Sequence, residues 1–212
     1  DITEAELERQ NARGILAAID SSYAYIEFDL GGNVITANRN FQQALGYALD
    51  EIKGRHHRMF VEPAAAMSPA YAQFWRELNE GKAQNDVFKR ITKAGQEIWI
   101  QAVYAPVKDE MGRVFKVVKI ATDVTAQINA ANMLKQAVED AQHVTSAAGR
   151  GDLSQRIPLD GKTGPIRVLC EGVNALMETT SVIFGDVGRV FGALSSGDLT
   201  QRIDAHYDGV FG

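Results

Sequence analysis

Two adjacent histidines, His56 and His57, have the most specific chemistry in this chain. They follow a turn at Gly54 and precede an aromatic-rich segment. An imidazole in apolar surroundings is a natural axial ligand for haem iron, because the surroundings keep water from the metal. Neighbouring side chains cannot both point inward in regular structure, so at most one of them, His57 or His56, is expected to bind such an iron. In the alternative interpretation, one histidine caps a helix by hydrogen bonding and the other is solvated.

An apolar pocket is predicted beside these histidines. In the segment SPAYAQFWRELNEGK, residues Tyr71, Phe74, Trp75 and Leu78 recur at the spacing of one helix face. That face would pack against a sheet and enclose the pocket. Many cofactor sites have this form, with apolar walls and few polar groups, but an apolar core without a ligand has the same pattern. The other residues expected in the wall are Phe60, Ile98, Ile100 and Val118.

No group of residues indicates catalysis. The sequence contains no nucleophile with a base and an orienting group, no phosphate-binding glycine loop and no metal-binding signature. Asp29, Gly31 and Gly32 predict a hairpin turn and not a dinucleotide-binding motif. We therefore expect a protein that is not an enzyme.

The elements that would position these residues change along the chain. Residues 1–20 are rich in helix formers and predict an amphipathic helix. Between residues 23 and 125, five short runs rich in β-branched and aromatic residues are separated by turn residues, and they predict five strands. Helical segments lie between the second and third runs. This order predicts an α+β domain, with a five-stranded antiparallel sheet covered by helices on one face.

A repeated heptapeptide organises the remainder of the chain. GDLSQRI at residues 151–157 returns as GDLTQRI at residues 197–203, 46 residues later, and such spacing indicates a repeated structural unit. One helix is predicted before the first copy and another over residues 166–194, each with a narrow stripe of apolar or small residues. Such a stripe needs a partner, most simply the same helix of a second copy. The stripe of the first helix consists of Ala131, Leu134, Val138, Ala141, Thr145 and Ala148, and that of the second includes Leu169 and Leu176. The apolar residues of the two repeats are Leu153, Ile157, Leu199 and Ile203.

Composition restricts the expected partners and location. The formal net charge is −5 and the chain has no basic stripe, which argues against nucleic acid and acidic membrane surfaces as partners. No apolar run approaches the roughly 20 residues that span a bilayer, and no leader-like segment is present. The single cysteine, Cys170, cannot form a disulfide within the chain. These features predict a cytoplasmic protein without a membrane span.

Residues 21–125 resemble a PAS sensor domain. Four short motifs carry the resemblance: A-N-x-N-F at residues 37–41, L-G-Y at 45–47, E-I-x-G at 51–54 and D-V-T at 123–125. The resemblance implies the α+β fold predicted above and a sensor pocket between the sheet and the helices.

Residues 126–181 resemble a HAMP module, which has a helix, a G-D-L-x-x-R-I connector and a second helix. Residues 182–212 resemble the first half of another HAMP module, and residues 1–20 would be a linker helix. HAMP modules pair as parallel four-helix coiled-coil units, so the resemblance implies an all-α arrangement of this kind after the PAS domain. The combination is similar to cytoplasmic bacterial chemoreceptors of the aerotaxis type, which are methyl-accepting chemotaxis proteins.

The same resemblance bears on the cofactor. The aerotaxis receptors hold FAD, and Asn38, His57, Trp75 and Trp99 occupy places that match this family. A flavin or adenine ring could stack on an indole. The sequence departs from the family at three places, which leaves haem b, FAD, and an empty or small-ligand pocket as alternatives. The departing residues are Gln84, Glu62 with Pro63, and Val103.

The resemblance also implies a path for a signal. Asp123 and Thr125 end the last strand, where a carboxylate could cap the next helix or pair with a base such as Arg90. A change on the sheet, caused by oxygen, redox state or a small ligand, would then rotate or tilt the helix over residues 126–149. The HAMP packing would shift in response, with the apolar connector residues locking one arrangement.

The expected partners follow from the family. A homodimer would form through the HAMP helices, and a chemotaxis kinase with its coupling protein would bind a segment beyond this C-terminus. Two alternatives use the same modules: the input half of a sensor histidine kinase or cyclase, and a ligand-free PAS dimerisation module. Asp1-Ile2-Thr3 repeats the D-x-T pattern of residues 123–125, which predicts another PAS domain upstream, although it also suits a helix N-cap at Thr3.

Overall fold

The computed structural model describes residues 3–212, and the chain divides into two compact units after Ile128. The first two residues of the Asp1-Ile2-Thr3 pattern lie outside the described residues. Thr3 is the N-cap of helix α1 (Glu4–Ser22), and its hydroxyl accepts a hydrogen bond from the backbone N–H of Glu6 at 3.4 Å. Such a cap stabilises a helix start because it gives an otherwise unpaired N–H a partner.

A five-stranded antiparallel sheet forms the body of the first unit. Its strands are β1 (Ala24–Phe28), β2 (Val34–Ala37), β3 (Gln84–Ile91), β4 (Glu97–Lys108) and β5 (Val114–Asp123), in the order β2-β1-β5-β4-β3. Every neighbouring pair is antiparallel. The prediction of a five-stranded antiparallel sheet is confirmed.

Helices between β2 and β3 cover one face of this sheet. They are α2 (Arg39–Leu45), α3 (Leu49–Ile52), a 3-10 helix (His57–Phe60), α4 (Pro63–Ala66) and α5 (Pro69–Asn79). Helix α5 begins at a Ser-Pro cap, where the Ser68 hydroxyl accepts the N–H of Tyr71 at 3.2 Å. The covered face and the helices enclose one apolar core, which includes Ile26, Phe28, Phe41, Leu45, Ile52 and Leu78.

The alternation along β4 and β5 decides which predicted residues face this core. Ile98 and Ile100 are buried on the covered face, so Trp99 lies on the opposite face, because successive side chains of a strand point in opposite directions. On β5, Lys119 is buried in the core and Val118 points away from it. The expectation that Trp99 and Val118 contribute to the pocket is corrected for this reason.

Two long helices and the connector between them form the second unit. Helix α6 (Thr125–Gly149) begins directly after the sheet, and helix α7 (Gly164–Ser195) has 32 residues. Ile157 of the connector is only 2% exposed. The side-chain amide of Asn174 on α7 accepts the backbone N–H of Ile157 at 2.7 Å and donates to its carbonyl at 2.9 Å. Leu153 packs against the same cluster, so the first heptapeptide is attached to both helices.

The second heptapeptide is not packed in this way. Leu199 is 79% exposed and Ile203 is 40% exposed. The first copy precedes α7, which supplies Asn174 and apolar side chains. In the described part of the chain, the second copy is followed only by a short 3-10 helix (Gly209–Phe211). The expectation that Leu199 and Ile203 lie on a helix pair is therefore not met within this chain.

The predicted stripes on the two helices are largely uncovered within one chain. Leu134 and Val138 on α6, and Leu169 and Leu176 on α7, expose about half of their surface or more. The contact between the helices uses a neighbouring face, whose buried members are Ala137, Val144, Cys170 and Met177. No helix in residues 3–212 has the length and apolar character needed to cross a membrane.

Candidate functional site

His57 lies at the centre of the first unit, at the start of the 3-10 helix, and its side chain is 0% exposed. Its Nδ1 lies 2.8 Å from the hydroxyl of Tyr71 and its Nε2 lies 2.9 Å from the hydroxyl of Tyr104. Burial holds the pKa of His57 well below its ordinary value, and the charges of Arg90 and Lys119 lower it further. The imidazole is therefore neutral, with one nitrogen donating and the other accepting.

The direction of the hydrogen bonds follows from Arg90. Its Nη2 donates to the Tyr104 hydroxyl oxygen at 2.9 Å. The hydroxyl proton of Tyr104 is then available for His57 Nε2, and we assign the imidazole proton to Nδ1, which donates to Tyr71. The result is a chain of hydrogen bonds from strand β3 through strand β4 to the 3-10 helix and helix α5.

His56 has a different role from its neighbour. It is half-buried and caps the 3-10 helix, because its Nδ1 accepts the backbone N–H of Arg58 at 3.1 Å. Its ring packs edge-on against Trp75, with centroids 6.1 Å apart. The sequence leaves two alternatives: one histidine faces inward, or one caps a helix while the other is solvated. The structure has one capping histidine, His56, and one inward-facing histidine, His57, which is buried.

Six aromatic rings pack around His57. Phe28, Trp75 and Tyr104 meet it edge-on at centroid distances of 5.3, 5.5 and 5.6 Å, and Tyr71 stacks on it at 5.8 Å. Phe74 and Phe60 complete the cluster. The structure therefore brings together the aromatic residues that the sequence assigned to a pocket, but it joins them as a packed core.

Asn38 lies outside this cluster. It is the N-cap of α2, and its side-chain oxygen accepts the N–H groups of Phe41 and Tyr25, each at 2.9 Å. Its side-chain nitrogen donates to the carbonyl of Tyr23 at 2.8 Å. Asn38 thus fixes the beginning of β1 against α2, and none of its side-chain hydrogen bonds reaches His57.

Two buried basic residues, Arg90 and Lys119, are site residues that the sequence analysis did not assign to the pocket. Lys119 is 1% exposed and its ammonium group lies over the ring of Tyr104, 4.9 Å from the centroid. Burial holds the pKa of Lys119 well below its ordinary value, and the charge of Arg90 adds to the effect. The signal was present in the alternation of VFKVVKIA, because Val117, Lys119 and Ala121 share one strand face.

The arrangement around His57 does not fit a haem or flavin ring. Both imidazole nitrogens have tyrosine partners, and the adjacent rings are in contact with one another. An open cleft beside Tyr71 and Phe74 has a volume of about 220 Å³, below the roughly 300 Å³ at which typical ligand pockets begin. The residues described by the structure also contain no group of three or more His, Cys, Asp or Glu side chains that could hold a metal ion.

The end of the sheet is joined to helix α6 by two side chains. Asp123 accepts the N–H of Thr125 at 2.8 Å, and the Thr125 hydroxyl accepts the backbone N–H of Trp99 at 2.9 Å. Asp123 is exposed, whereas Arg90 is buried on the covered face of the sheet. The expected pairing of Asp123 with Arg90 therefore does not form, and Asp123 acts on the helix start alone.

Residues 34–121 match the family model described as PAS fold. This segment runs from β2 to β5 and includes His57, Tyr71, Arg90, Tyr104 and Lys119.

Three curated relatives are similar to the chain. Biofilm dispersion protein BdlA of Pseudomonas aeruginosa is 42% identical over 125 residues, which cover 59% of this chain and 30% of that protein. Methyl-accepting chemotaxis protein McpB of the same organism is 42% identical over 77 residues, covering 36% and 11% respectively. The aerotaxis receptor of Escherichia coli is 31% identical over 97 residues, covering 46% and 19%. The chain spans less than a third of the length of each of these relatives.

Among solved structures, an RNA-binding light-oxygen-voltage receptor aligns with a TM-score of 0.50 and 26% identity, over 60% of this chain and 36% of that chain. The alignment agrees with the family model. Residues 34–121 therefore have the PAS fold, and the relatives of this PAS domain include chemotaxis and aerotaxis receptors.

Proposed function

We propose that this chain is the sensory and relay fragment of a bacterial chemoreceptor that acts in the cytoplasm as a homodimer. The PAS domain would bind a small ligand, and helices α6 and α7 would transmit the change as a HAMP module over residues 126–181. The relationship to chemotaxis and aerotaxis receptors supports this assignment. A chemotaxis kinase and its coupling protein would then bind a part of the receptor that follows residue 212.

The observation that carries the proposal is the pair of hydrogen bonds that joins strand β4 to the start of helix α6. Thr125 is the first residue of α6, and its hydroxyl is hydrogen-bonded to the backbone of Trp99 on β4. Val124 adds a backbone hydrogen bond to the Trp99 carbonyl at 2.8 Å. A ligand that changed the twist of β4 would therefore move the first turn of α6 directly. Coupling of about 1–3 kcal/mol is sufficient for regulation of this kind.

The second unit supports a relay that requires two copies. Its connector is attached to both helices through Ile157 and Leu153, while Leu134, Val138, Leu169 and Leu176 remain exposed. Covering these stripes with the same helices of a second chain would form a four-helix unit. The second heptapeptide, with Leu199 and Ile203, would begin the next unit along the same axis.

Disulfide cross-linking tests the homodimer. Val138→Cys, in a Cys170→Ala background, places a thiol in the exposed stripe of α6. Glu139→Cys is the matched control, because Glu139 is also exposed but lies about 100° around the helix from Val138, with no stripe residue three or four positions away. We expect rapid dimer formation by the first variant and slow formation by the second, together with a dimer of the unmodified chain in sedimentation velocity. A monomer at high concentration, with equal and slow cross-linking at both positions, would refute the proposal.

A further inference from the structure

A cleft opens on the first unit between helix α5 and strand β3, and Arg90 forms part of its wall. The apolar part of the wall comes from Val61, Phe74 and Phe88, and Tyr71 adds a ring with a hydroxyl group. The volume of about 220 Å³ equals the liquid volume of about seven water molecules. A compact organic molecule with a small ring would match this volume.

Arg90 is a buried cation without an anion. It is 6% exposed, and no carboxylate in residues 3–212 forms an ion pair with it. Its hydrogen bonds go to the carbonyl of Lys89 at 2.6 Å and to the hydroxyl of Tyr104 at 2.9 Å. The Nε–H group is buried and has no hydrogen-bond partner in the described part of the chain. Two of the five N–H groups that a guanidinium carries are therefore used.

The neighbouring charges do not compensate Arg90. Lys119, on β5, is the other buried basic residue of this core, and His57 is neutral. Glu62, the residue after Val61 of the cleft wall, is half exposed and pairs with Lys89 at 3.4 Å. An arginine cannot release its proton at physiological pH, so its charge persists in a site where an unpaired ion is unfavourable. A negatively charged group that reached the free N–H groups would remove this penalty.

We propose that the cleft between α5 and β3 binds a small monocarboxylate with an aromatic body, whose carboxylate pairs with the guanidinium of Arg90. The flat guanidinium fork matches the two oxygens of a carboxylate. The ring of the ligand would lie against Phe74 and Phe88, which themselves meet edge-on at 5.9 Å. The inference names the ligand class of the sensory domain and rests on the proposed function for its role in signalling, although binding itself does not require the relay.

The same geometry gives the ligand access to the hydrogen-bond chain of the core. Arg90 donates to Tyr104, which lies on the strand that also carries Trp99. Tyr71, in the wall of the cleft, is hydrogen-bonded to His57. A carboxylate on the free N–H groups of Arg90 would draw the guanidinium toward the cleft, weaken its hydrogen bond to Tyr104 and in this way act on β4.

Benzoate and benzamide are suitable probes, because they share a ring and a size while only benzoate is charged at neutral pH. Titration calorimetry of the full chain at constant ionic strength should show saturable binding of benzoate. The affinity for benzamide should be lower by about tenfold or more, as expected for the loss of a charged hydrogen bond. Equal affinities for the two probes, or no saturation with benzoate, would overturn the inference.

Three variants locate the site. Arg90→Gln should abolish the preference for benzoate, and Ala70→Leu, which adds bulk to the cleft wall, should weaken both probes about tenfold or more. Lys89→Gln is the matched control, because it removes the neighbouring cation on the opposite strand face, and it should bind benzoate like the unmodified chain. Circular dichroism establishes whether each variant is folded. If Arg90→Gln does not fold, Ala70→Leu still tests whether the probes bind in this cleft.

Unchanged benzoate binding by Arg90→Gln and Ala70→Leu would place the ligand elsewhere and refute the assignment. The two proposals fail separately. A chain that cross-links through Val138→Cys but ignores benzoate contradicts the ligand class alone, and a chain that binds benzoate but stays monomeric contradicts the relay alone.

Discussion

Replacing Tyr104 by Phe tests the hydrogen-bond chain at the centre of the PAS domain. Tyr104 is 0% exposed, and its hydroxyl is the partner of both His57 Nε2 and Arg90 Nη2. The substitution keeps the ring, with its contacts to Phe74 and Phe88, and removes only the oxygen. Two buried polar groups then lose a partner at the same time.

The expected magnitude follows from this count. A buried polar group left without a partner costs about 1–3 kcal/mol, so Tyr104→Phe should lower the free energy of unfolding by about 2–6 kcal/mol. Domains of this kind have a total stability of only about 5–15 kcal/mol. The loss should therefore be visible as a large shift of the unfolding midpoint.

Urea unfolding followed by tryptophan emission is the appropriate assay. The chain has two tryptophans, Trp75 and Trp99, and both lie in the first unit, so the signal reports that unit alone. Tyr47→Phe is the matched control, because the Tyr47 ring packs on Phe60 at 5.7 Å and its hydroxyl has no hydrogen-bond partner among residues 3–212. Its effect should stay within about 0.5 kcal/mol. A Tyr104→Phe variant that is no more destabilised than Tyr47→Phe would show that the Tyr104 hydroxyl does not hold His57 and Arg90 in the folded domain.

Three further substitutions test other parts of the structure. Lys119→Met should raise the free energy of unfolding at pH 7 by about 1–4 kcal/mol, because burying a lysine that is charged in the unfolded chain costs free energy that a methionine does not incur. The folded pKa of Lys119 is lowered, so the unmodified chain gains stability as the pH rises toward the ordinary lysine pKa. Urea titrations at several pH values should show the advantage of the variant shrinking by about 1.4 kcal/mol per pH unit above the folded pKa, with the slope falling as the pH passes about 10. Thr125→Val removes the acceptor of the Trp99 N–H and should speed hydrogen exchange of that amide about fivefold, as for a hydrogen bond worth about 1 kcal/mol. Ile157→Ala should destabilise the second unit by about 2–5 kcal/mol and, with Leu153→Ala, alter cross-linking at position 138, while the tryptophan-detected unfolding midpoint stays unchanged.

Each of these has a result that would contradict it. An advantage of Lys119→Met that is independent of pH would mean that the lysine is charged when folded, and Lys53→Met provides the exposed control. An unchanged hydrogen-exchange rate of the Trp99 amide in Thr125→Val would show that the Thr125 hydroxyl does not hold α6 to β4. Unchanged cross-linking at position 138 would show that the connector does not control helix packing. A lowered unfolding midpoint of the PAS domain in Ile157→Ala would show that the connector does not act on the second unit alone.

Much of the sheet and of the long helices is predictable because their periodicity is local. The runs around Ile98 and Ile100 predict β4, and the steps of three and four around Leu176 predict α7. The same alternation places Trp99 on the opposite face of the sheet, so a strict period of two excludes Trp99 from the pocket. It also places Lys119 inside, against the general preference of lysine for the surface.

The chemistry of His57 could not be predicted in the same way. Its partner Tyr104 lies 47 residues further along the chain, and the contact depends on the register of β4 and on the path of the 3-10 helix. The sequence indicates that one of two histidines faces inward, but it does not indicate that both ring nitrogens have tyrosine partners. For the same reason the environment of Arg90, which is set by Tyr104 and Phe88 on two strands, becomes evident only in the structure.

The junction between β5 and α6 is one residue long, because β5 ends at Asp123 and α6 begins at Thr125. No glycine or proline occurs between Arg113 and Gly149, so this segment lacks the residues that most often form a hinge. Inserting a single amino acid at Val124 would turn every later side chain of the helix by about 100° around its axis. Under the proposed relay, the length of this junction sets the rotational position of the α6 side chains relative to the sheet, and a one-residue insertion would change which face of α6 meets its partner.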